Sequence, residues 1–263
     1  MFLFLFMPIA IFNFVSTLQC TDNCSMSYSL DQPFILPRNC MTSSSWRCTA
    51  KLTFWFNRHN YTVTFPGEIN NDPTIGDSKQ FIMIETAKTK FFSYDIDHTC
   101  ADTDDCARQF IEMKVLEMRQ RPYNLSSIYS ALERILYQKP HVSHDLACFD
   151  TNDAVRQCAV SGMIGACQII DDLIKYKLHR RSCQRSHHES ASVNIYDSGT
   201  FAMMTVKCNR MLCNGPLTIE AVKKVLHKHN ITTVSGRLPG ASSHMSLKFY
   251  FVLLMLFFSS QLS

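Results

Sequence analysis

The stretch KLTFWFNRHNYTVTF, residues Lys51–Phe65, decides how the chain is read. Leu52, Phe54 and Phe56 alternate with Lys51, Thr53, Trp55 and Asn57. After Arg58-His59-Asn60 the alternation resumes with Tyr61, Val63 and Phe65. A period of two on either side of a short polar break predicts a β-hairpin, here with both faces partly apolar. Pro66-Gly67 ends it, Asn70–Ser78 is turn-rich, and Gln80–Thr86 and Lys90–Ile96 read as two further strands. Upstream, Leu18–Cys48 holds four Cys among Ser, Thr, Asn and Pro and reads as disulfide-tied loops.

After residue 100 the period changes. Asp102, Thr103, Asp104 and Asp105 can cap a helix and favour its positive end. Ala107, Phe110, Ile111, Val115 and Met118 then recur at helical spacing. A second helix is expected from Ser126 to near Pro140, with Ile128, Leu132, Ile135 and Leu136 on one face. A third is expected over Ala166–Arg180, striped by Ile170, Ile174 and Leu178, and a fourth over Thr218–His229, capped by Thr218. The expected class is α+β: N-terminal β-hairpins up to residue 96, with a helical insertion after residue 100. No internal repeat of fixed period is visible.

Twelve cysteines are the strongest compositional signal: Cys20, Cys24, Cys40, Cys48, Cys100, Cys106, Cys148, Cys158, Cys167, Cys183, Cys208 and Cys213. An even count fits six disulfides formed in an oxidising compartment, with connectivity left open. The tightest spacing, CxxxC at Cys20–Cys24, is not that of a zinc site, so no metal or other cofactor is expected. His141/His144, His187-His188 and His227/His229 lie in polar stretches and read as surface residues. Four Asn-x-Ser/Thr sites, at Asn23, Asn60, Asn124 and Asn230, point to glycosylated surface positions; Asn23 is the least suited, since Cys24 is its middle residue.

The two ends read differently from the middle. Met1–Thr17 has thirteen apolar residues and no charged side chain, which suits a secretory signal cut after Thr17. At the other end, Phe249–Phe258 is ten apolar residues long. As a helix it would cover ~15 Å, half of a hydrocarbon core of ~30 Å. No Lys or Arg follows it, against the habit of a spanning helix. Small residues, a polar spacer and a terminal apolar run together read as a glycosylphosphatidylinositol signal. Gly240 is the expected attachment site, with Ala241, Ser242 and Ser235 as rivals and a transmembrane tail as the alternative. The resulting division is a signal peptide over 1–17, a cysteine-rich ectodomain over 18–214, a stem over 215–240 and an anchor propeptide over 241–263.

Two motifs carry a resemblance. Leu18-Gln19-Cys20, with Cys24 soon after, opens the body, and Cys208-Asn209-Arg210-Met211-Leu212-Cys213-Asn214 closes it. This resembles the Ly6/uPAR three-finger family, whose domains open with Leu-x-Cys and close with Cys-x4-Cys-Asn just before such an anchor. The resemblance implies that Cys208 pairs with Cys213 and that Asn214 makes core hydrogen bonds. A family domain is usually well under half this length and nearly all β, and the Asp102–Pro140 helices have no counterpart in it. The overall plan is closer to the enlarged Ly6-related surface proteins of nematodes, which keep the anchor. The function it implies is binding or receptor modulation, with no catalysis.

Residue chemistry points the same way. A net charge of +4 without a Lys/Arg run gives no argument for nucleic acid. There is no GxSxG elbow, phosphate-binding loop, GxGxxG or HExxH. Asp102, Asp104 and Asp105 read as a helix start with solvated charge, and Asp171-Asp172 likewise. The expected function is a lipid-anchored, glycosylated binding protein of the outer leaflet, acting on an unknown protein partner as receptor modulator, co-receptor or adhesion partner. The alternatives are an anchored extracellular hydrolase, marked by a carboxylate pair or Asp–His contact in a deep pocket, and a structural coat component, marked by regular self-association.

Overall fold

The computed structural model describes residues 17–67, 78–87, 89–138, 146–158, 164–175, 177–186 and 191–240. The expected loop over Asn70–Ser78, both apolar ends, Ala241, Ser242 and the His141, His144, His187 and His188 positions lie almost wholly outside them. The first half runs β1 (Leu18–Asp22), β2 (Cys24–Ser29), β3 (Met41–Ser45), β4 (Cys48–Trp55), β5 (Asn60–Phe65), β6 (Lys79–Glu85) and β7 (Phe91–Cys100), then α1 (Cys106–Arg119) and α2 (Leu125–Leu136). The second half runs β8 (Ala147–Phe149), β9 (Val155–Gln157), β10 (Ile164–Asp172), β11 (Lys177–Ser186), β12 (Ser192–Asp197) and β13 (Ala202–Cys208), then α3 (Pro216–Lys228).

The hairpin over 51–65 is β4 and β5. One 3-10 turn, Phe56–Arg58, and His59 in the left-handed region join them. Leu52, Phe54, Tyr61, Val63 and Phe65 are buried on one face, as the period of two requires. These strands belong to a nine-stranded antiparallel sheet in the order β11-β10-β13-β12-β6-β7-β4-β5-β2.

The order conceals a duplication. In each half two hairpins lie side by side, with the first strand of one paired to the last strand of the other, β4 to β7 and β10 to β13. At the end of each shared ladder two cysteines face each other, Cys48 opposite Cys100 and Cys167 opposite Cys208. The earlier member of each pair is bridged back to a small ribbon, Cys20–Cys48 to β1–β3 and Cys148–Cys167 to β8–β9. The later member closes a tight loop forward, Cys100–Cys106 and Cys208–Cys213, and a helix follows. Only the third bridges differ, Cys24–Cys40 and Cys158–Cys183. The halves join through equivalent edge strands, β6 pairing antiparallel with β12, Ile82 opposite Ile195 and Ile84 opposite Val193.

Helices cover one sheet face. Ala107, Ile111, Val115 and Met118 press α1 onto β4 and β7, while Ile128, Leu132 and Leu136 bring α2 against α3. Asn124 caps α2, its Oδ1 accepting from the Ser127 N–H at 3.0 Å. The fourth helix starts at Pro216, two residues before Thr218, because proline suits the first helical position and Gly215 leads into it without a side-chain cap.

Three expectations are corrected. The Ala166–Arg180 segment is not a helix but β10, a turn and β11. Cys167, Ile169 and Asp171 point into the core while Gln168 and Ile170 lie on the other face, and pairing with β13 overrides the helical stripe. Strands therefore do not stop at residue 96. The 216–238 segment, read as part of a stem, is folded onto the body. Ile219, Val222, Leu226, Ile231 and Leu238 are buried, and the Arg237 guanidinium holds the fully buried Asp197 with Nη2–Oδ1 at 2.8 Å and Nε–Oδ2 at 3.1 Å.

Candidate binding surfaces

All twelve cysteines are paired. Asn214 is fully buried beside the Cys208–Cys213 loop. Its Oδ1 accepts from the Phe149 N–H at 2.9 Å, and its Nδ2 donates to the Phe149 carbonyl at 2.7 Å and the Gln168 carbonyl at 3.2 Å. It thereby ties β8 to β10. Among the described residues, two groups could geometrically hold a metal, Cys148 with Cys158 and Cys183, and Cys100 with Asp102 and Cys106. Every sulfur in them is in a disulfide and has no thiolate to offer.

The acidic run has a structural role. Asp104 Oδ1 accepts from the Gln19 N–H at 2.8 Å, and Asp105 Oδ1 from the Thr21 N–H at 2.8 Å. Asp105 is the residue before α1 but does not cap it; its carboxylate reaches β1 instead. Asp171, also read as solvated, is buried and meets Lys223 Nζ of α3 at 2.7 Å. Of the four Asn-x-Ser/Thr positions expected to be glycosylated, Asn23, Asn124 and Asn230 are exposed, whereas Asn60 is half-buried at the start of β5. His227 and His229 flank the end of α3, where His227 Nδ1 faces the Thr232 carbonyl at 3.2 Å.

A half-open cavity of about 610 Å³ lies at the C-terminal end of α1, floored by Phe56, Met118 and Tyr123. His59 Nε2 and Asp31 Oδ2 meet at its rim at 2.8 Å. This contact is open to solvent. Both side chains are more than half exposed, at 59 % and 80 %, and no Ser, Thr or Cys lines the cavity as nucleophile. A second contact, Ser78 Oγ to His98 Nδ1 at 2.7 Å, lies outside the cavity, with the imidazole stacked 3.7 Å from the Phe110 ring. It pins α1 to β7.

The sheet face opposite the helices has a different character. Strand register lines up Thr53, Asp95, Phe81, Tyr196 and Met203 across five strands and both halves. The next row is Trp55, Ser93, Met83, Asn194, Thr205 and Ile170. Most of these side chains are half-buried rather than covered. Trp55 packs on Phe91 at 5.6 Å with the Arg58 guanidinium over its ring, and Tyr196 on Phe201 at 5.9 Å. Asn60 Oδ1 and Asn194 Oδ1, both on this face, find no donor among the described residues. Burial pushes the Asp95 carboxyl up, although the Thr53 hydroxyl donates to it at 2.7 Å; burial likewise raises Glu85 at the edge of the same face. Nine strands at ~4.8 Å spacing give a face ~38 Å wide and, at six residues per strand, ~20 Å long. That is ~800 Å², about the area one partner contributes to a standard interface. Sequence reading found the hairpin that supplies Thr53 and Trp55. It missed the face as a whole, because only the register of β6 on β12 joins its two parts.

No protein-family model matches the chain, and no curated protein matches it.

Proposed function

We propose that the protein is a lipid-tethered cell-surface binding protein that presents the open face of its sheet to a protein partner. The observation that carries this reading is the continuous, half-exposed apolar row through Phe81, Tyr196 and Met203, flanked by the Trp55–Phe91 pair. Aromatic and Met side chains with few charges make up the core of many protein interfaces. The face is held by a ladder braced by disulfides, so little conformational entropy is lost on association. Its direction also fits. Gly240 lies beside α1, close enough that a Cβ on it would stand 3.3 Å from Lys114 Nζ. A tether leaving Gly240 therefore starts in the helical layer and leaves the opposite face turned away from the lipid. The Ly6/uPAR resemblance in Cys208–Asn214 agrees with a binding role.

The test uses the full chain on living cells. A phosphatidylinositol-specific phospholipase should release it; retention would remove the glycolipid from the reading. A photo-reactive phenylalanine at Phe81 should then yield crosslinked protein adducts, while the same probe at exposed Met113 on α1 should yield none. Equal yields at both positions, or none at Phe81, would overturn the assignment of the face.

A further inference from the structure

The sixteen residues 173–188, LIKYKLHRRSCQRSHH, hold five of the chain's 26 Lys and Arg and none of its 22 Asp and Glu. The rest of the chain sums to −1, so this one segment makes the protein basic. Its described residues form the turn after β10 and the edge strand β11. The ladder between these strands shifts register: Ile170 pairs with Arg180, but Asp171 pairs with Leu178, and His179 is the extra residue of a bulge. Residues three apart on a regular strand point to opposite faces. Here the bulge brings Lys177 and Arg180 to the same one, the open face. They stand opposite Asp172 and Ile170, two residues apart on β10, and so about 7 Å from each other along the strand. Both are exposed. Lys207 of β13 lies on the same face, in register with Gln168 of β10, which is itself in register with Ser182 of β11.

The acids nearby are committed elsewhere. Asp172 is buried, its Oδ1 accepting from the Ile174 and Lys175 N–H groups at 3.0 and 2.9 Å. Asp171 pairs with Lys223 on the core side, and Asp150 and Asp153 pair with Arg156 and Arg181. Further along the open face the next carboxylates are Glu85, which faces Lys207 across Ser192, and Asp95, three and four strands from β10. Charged side chains keep edge strands from pairing with other chains, but that purpose needs no alignment on one face. The edge is also occupied: β8 packs against β11, Thr151 Oγ1 donates to the Arg181 carbonyl at 3.2 Å, and Cys183 is bridged to Cys158. An acidic peptide adding itself as a strand is therefore disfavoured. The cations lie on a sheet face and not in a cleft, which disfavours a small anion. What fits is a long polyanion that meets several cations at once. The Arg180 guanidinium can fork onto two oxygens of one anionic group, and the Gln168 and Ser182 side chains between Arg180 and Lys207 can bond hydroxyls.

We infer that the β11 end of the open face binds a sulfated polysaccharide: Lys177, Arg180 and Lys207 hold its sulfates, and Gln168 and Ser182 take its hydroxyls. The site flanks the row through Phe81, Tyr196 and Met203 and stands whether or not the tether does.

The test applies the full chain to immobilised heparin, a densely sulfated polysaccharide, at physiological salt. Retention is expected, with displacement by soluble heparin and not by desulfated heparin. Lys177→Gln/Arg180→Gln should weaken binding by about fivefold or more and flatten its salt dependence, because two ion contacts are gone, while Lys224→Gln/Lys228→Gln, the same charge change on α3, should stay within about twofold of the wild type. All four side chains are exposed, so both variants keep the fold, and their melting curves check it. Passage of the wild type without retention overturns the site. Equal losses from the two pairs reduce the binding to net charge and overturn it as well. Displacement by polyglutamate at the same charge concentration as heparin assigns the end of the face to an acidic protein segment and overturns the sulfated ligand.

Discussion

Replacing Asn214 by alanine removes a side chain that ties three backbone segments together at no exposed surface. Three bonds of 2.7, 2.9 and 3.2 Å, to the carbonyl and N–H of Phe149 and the carbonyl of Gln168, are lost together with a longer one of 3.5 Å to the Ser182 carbonyl. Each is worth about 1 kcal/mol net, and the cost rises where a buried partner is left unpaired, so the expected loss is about 3 kcal/mol. For a body of this size that lowers Tm by about 6–12 °C. Asn214→Asp keeps the acceptor for the Phe149 N–H but turns the donor into a second anionic acceptor facing two carbonyls. At neutral pH it should be at least as harmful as alanine. A carboxyl held there has a folded pKa raised above its unfolded value. Its share of stability is therefore present in acid and lost as pH rises through the folded pKa, so Asn214→Asp should recover toward the wild type on acidification while Asn214→Ala does not. Denaturant unfolding of the non-reduced protein, followed by Trp fluorescence, measures both variants. A loss below 0.5 kcal/mol for Asn214→Ala at unchanged m-value, or parallel pH profiles for the two, would refute the view that this side chain closes the second half.

Three further outcomes are expected. Arg237→Met leaves Asp197 fully buried with only the Gly199 and Leu238 N–H groups, at 2.9 and 3.2 Å, and should cost about 3–5 kcal/mol, whereas Asp197→Leu/Arg237→Met should recover most of it; calorimetry compares the pair. Asn124→Ala removes both a cap and an Asn-x-Ser sequon, while Ser126→Ala removes only the sequon, so the difference between their melting curves isolates about 1 kcal/mol of capping at α2. Asp95 has its pKa raised by burial, so it favours the folded state in acid and opposes it as pH rises through its folded pKa; Asp95→Asn should gain on the wild type at neutral pH and lose that gain on acidification, and a gain independent of pH would contradict the burial argument.

The legible parts of the sequence were those governed by local pattern. Leu52, Phe54, Tyr61, Val63 and Phe65 announced their hairpin by a period of two, and Ile111, Val115 and Met118 announced α1 by a period near 3.6, because each face is buried along its whole length. The segment around Ile170 misled because Ile169 and Ile170 are adjacent and the ladder with β11 shifts register after Ile170. That irregularity, followed at once by a turn, imitates the i, i+4 spacing of a helix with Ile174 and Leu178. The duplication escaped for a related reason. Cys48 and Cys100 are 52 residues apart, their counterparts Cys167 and Cys208 only 41, so no fixed period survives. The acidic residues were legible as charge but not as contacts. Asp104 and Asp105 find β1 some 85 residues away, a partnership set by tertiary path alone.

The seam between the halves explains why the two motifs act as one surface. The first half alone is a five-stranded ladder with two helices and the second a four-stranded ladder with one, and each would leave an unpaired strand, β6 or β12, at its edge. Exposed edges of this kind invite pairing with other chains. Pairing β6 to β12 satisfies both at once and sets Phe81 opposite Tyr196 on the open face and Ile82 opposite Ile195 in the core. The helical layer repeats the logic crosswise. α2 leaves the first half and packs on α3 of the second, while residues 231–240 leave the second half and reach α1 of the first at Lys114. Each half thus lends the other a covering segment that it does not build for itself. A cut between α2 and β8 would therefore not give two stable modules. It would expose the β6 and β12 edges and strip α3 of its helical neighbour, and the row through Phe81 and Tyr196 would cease to exist.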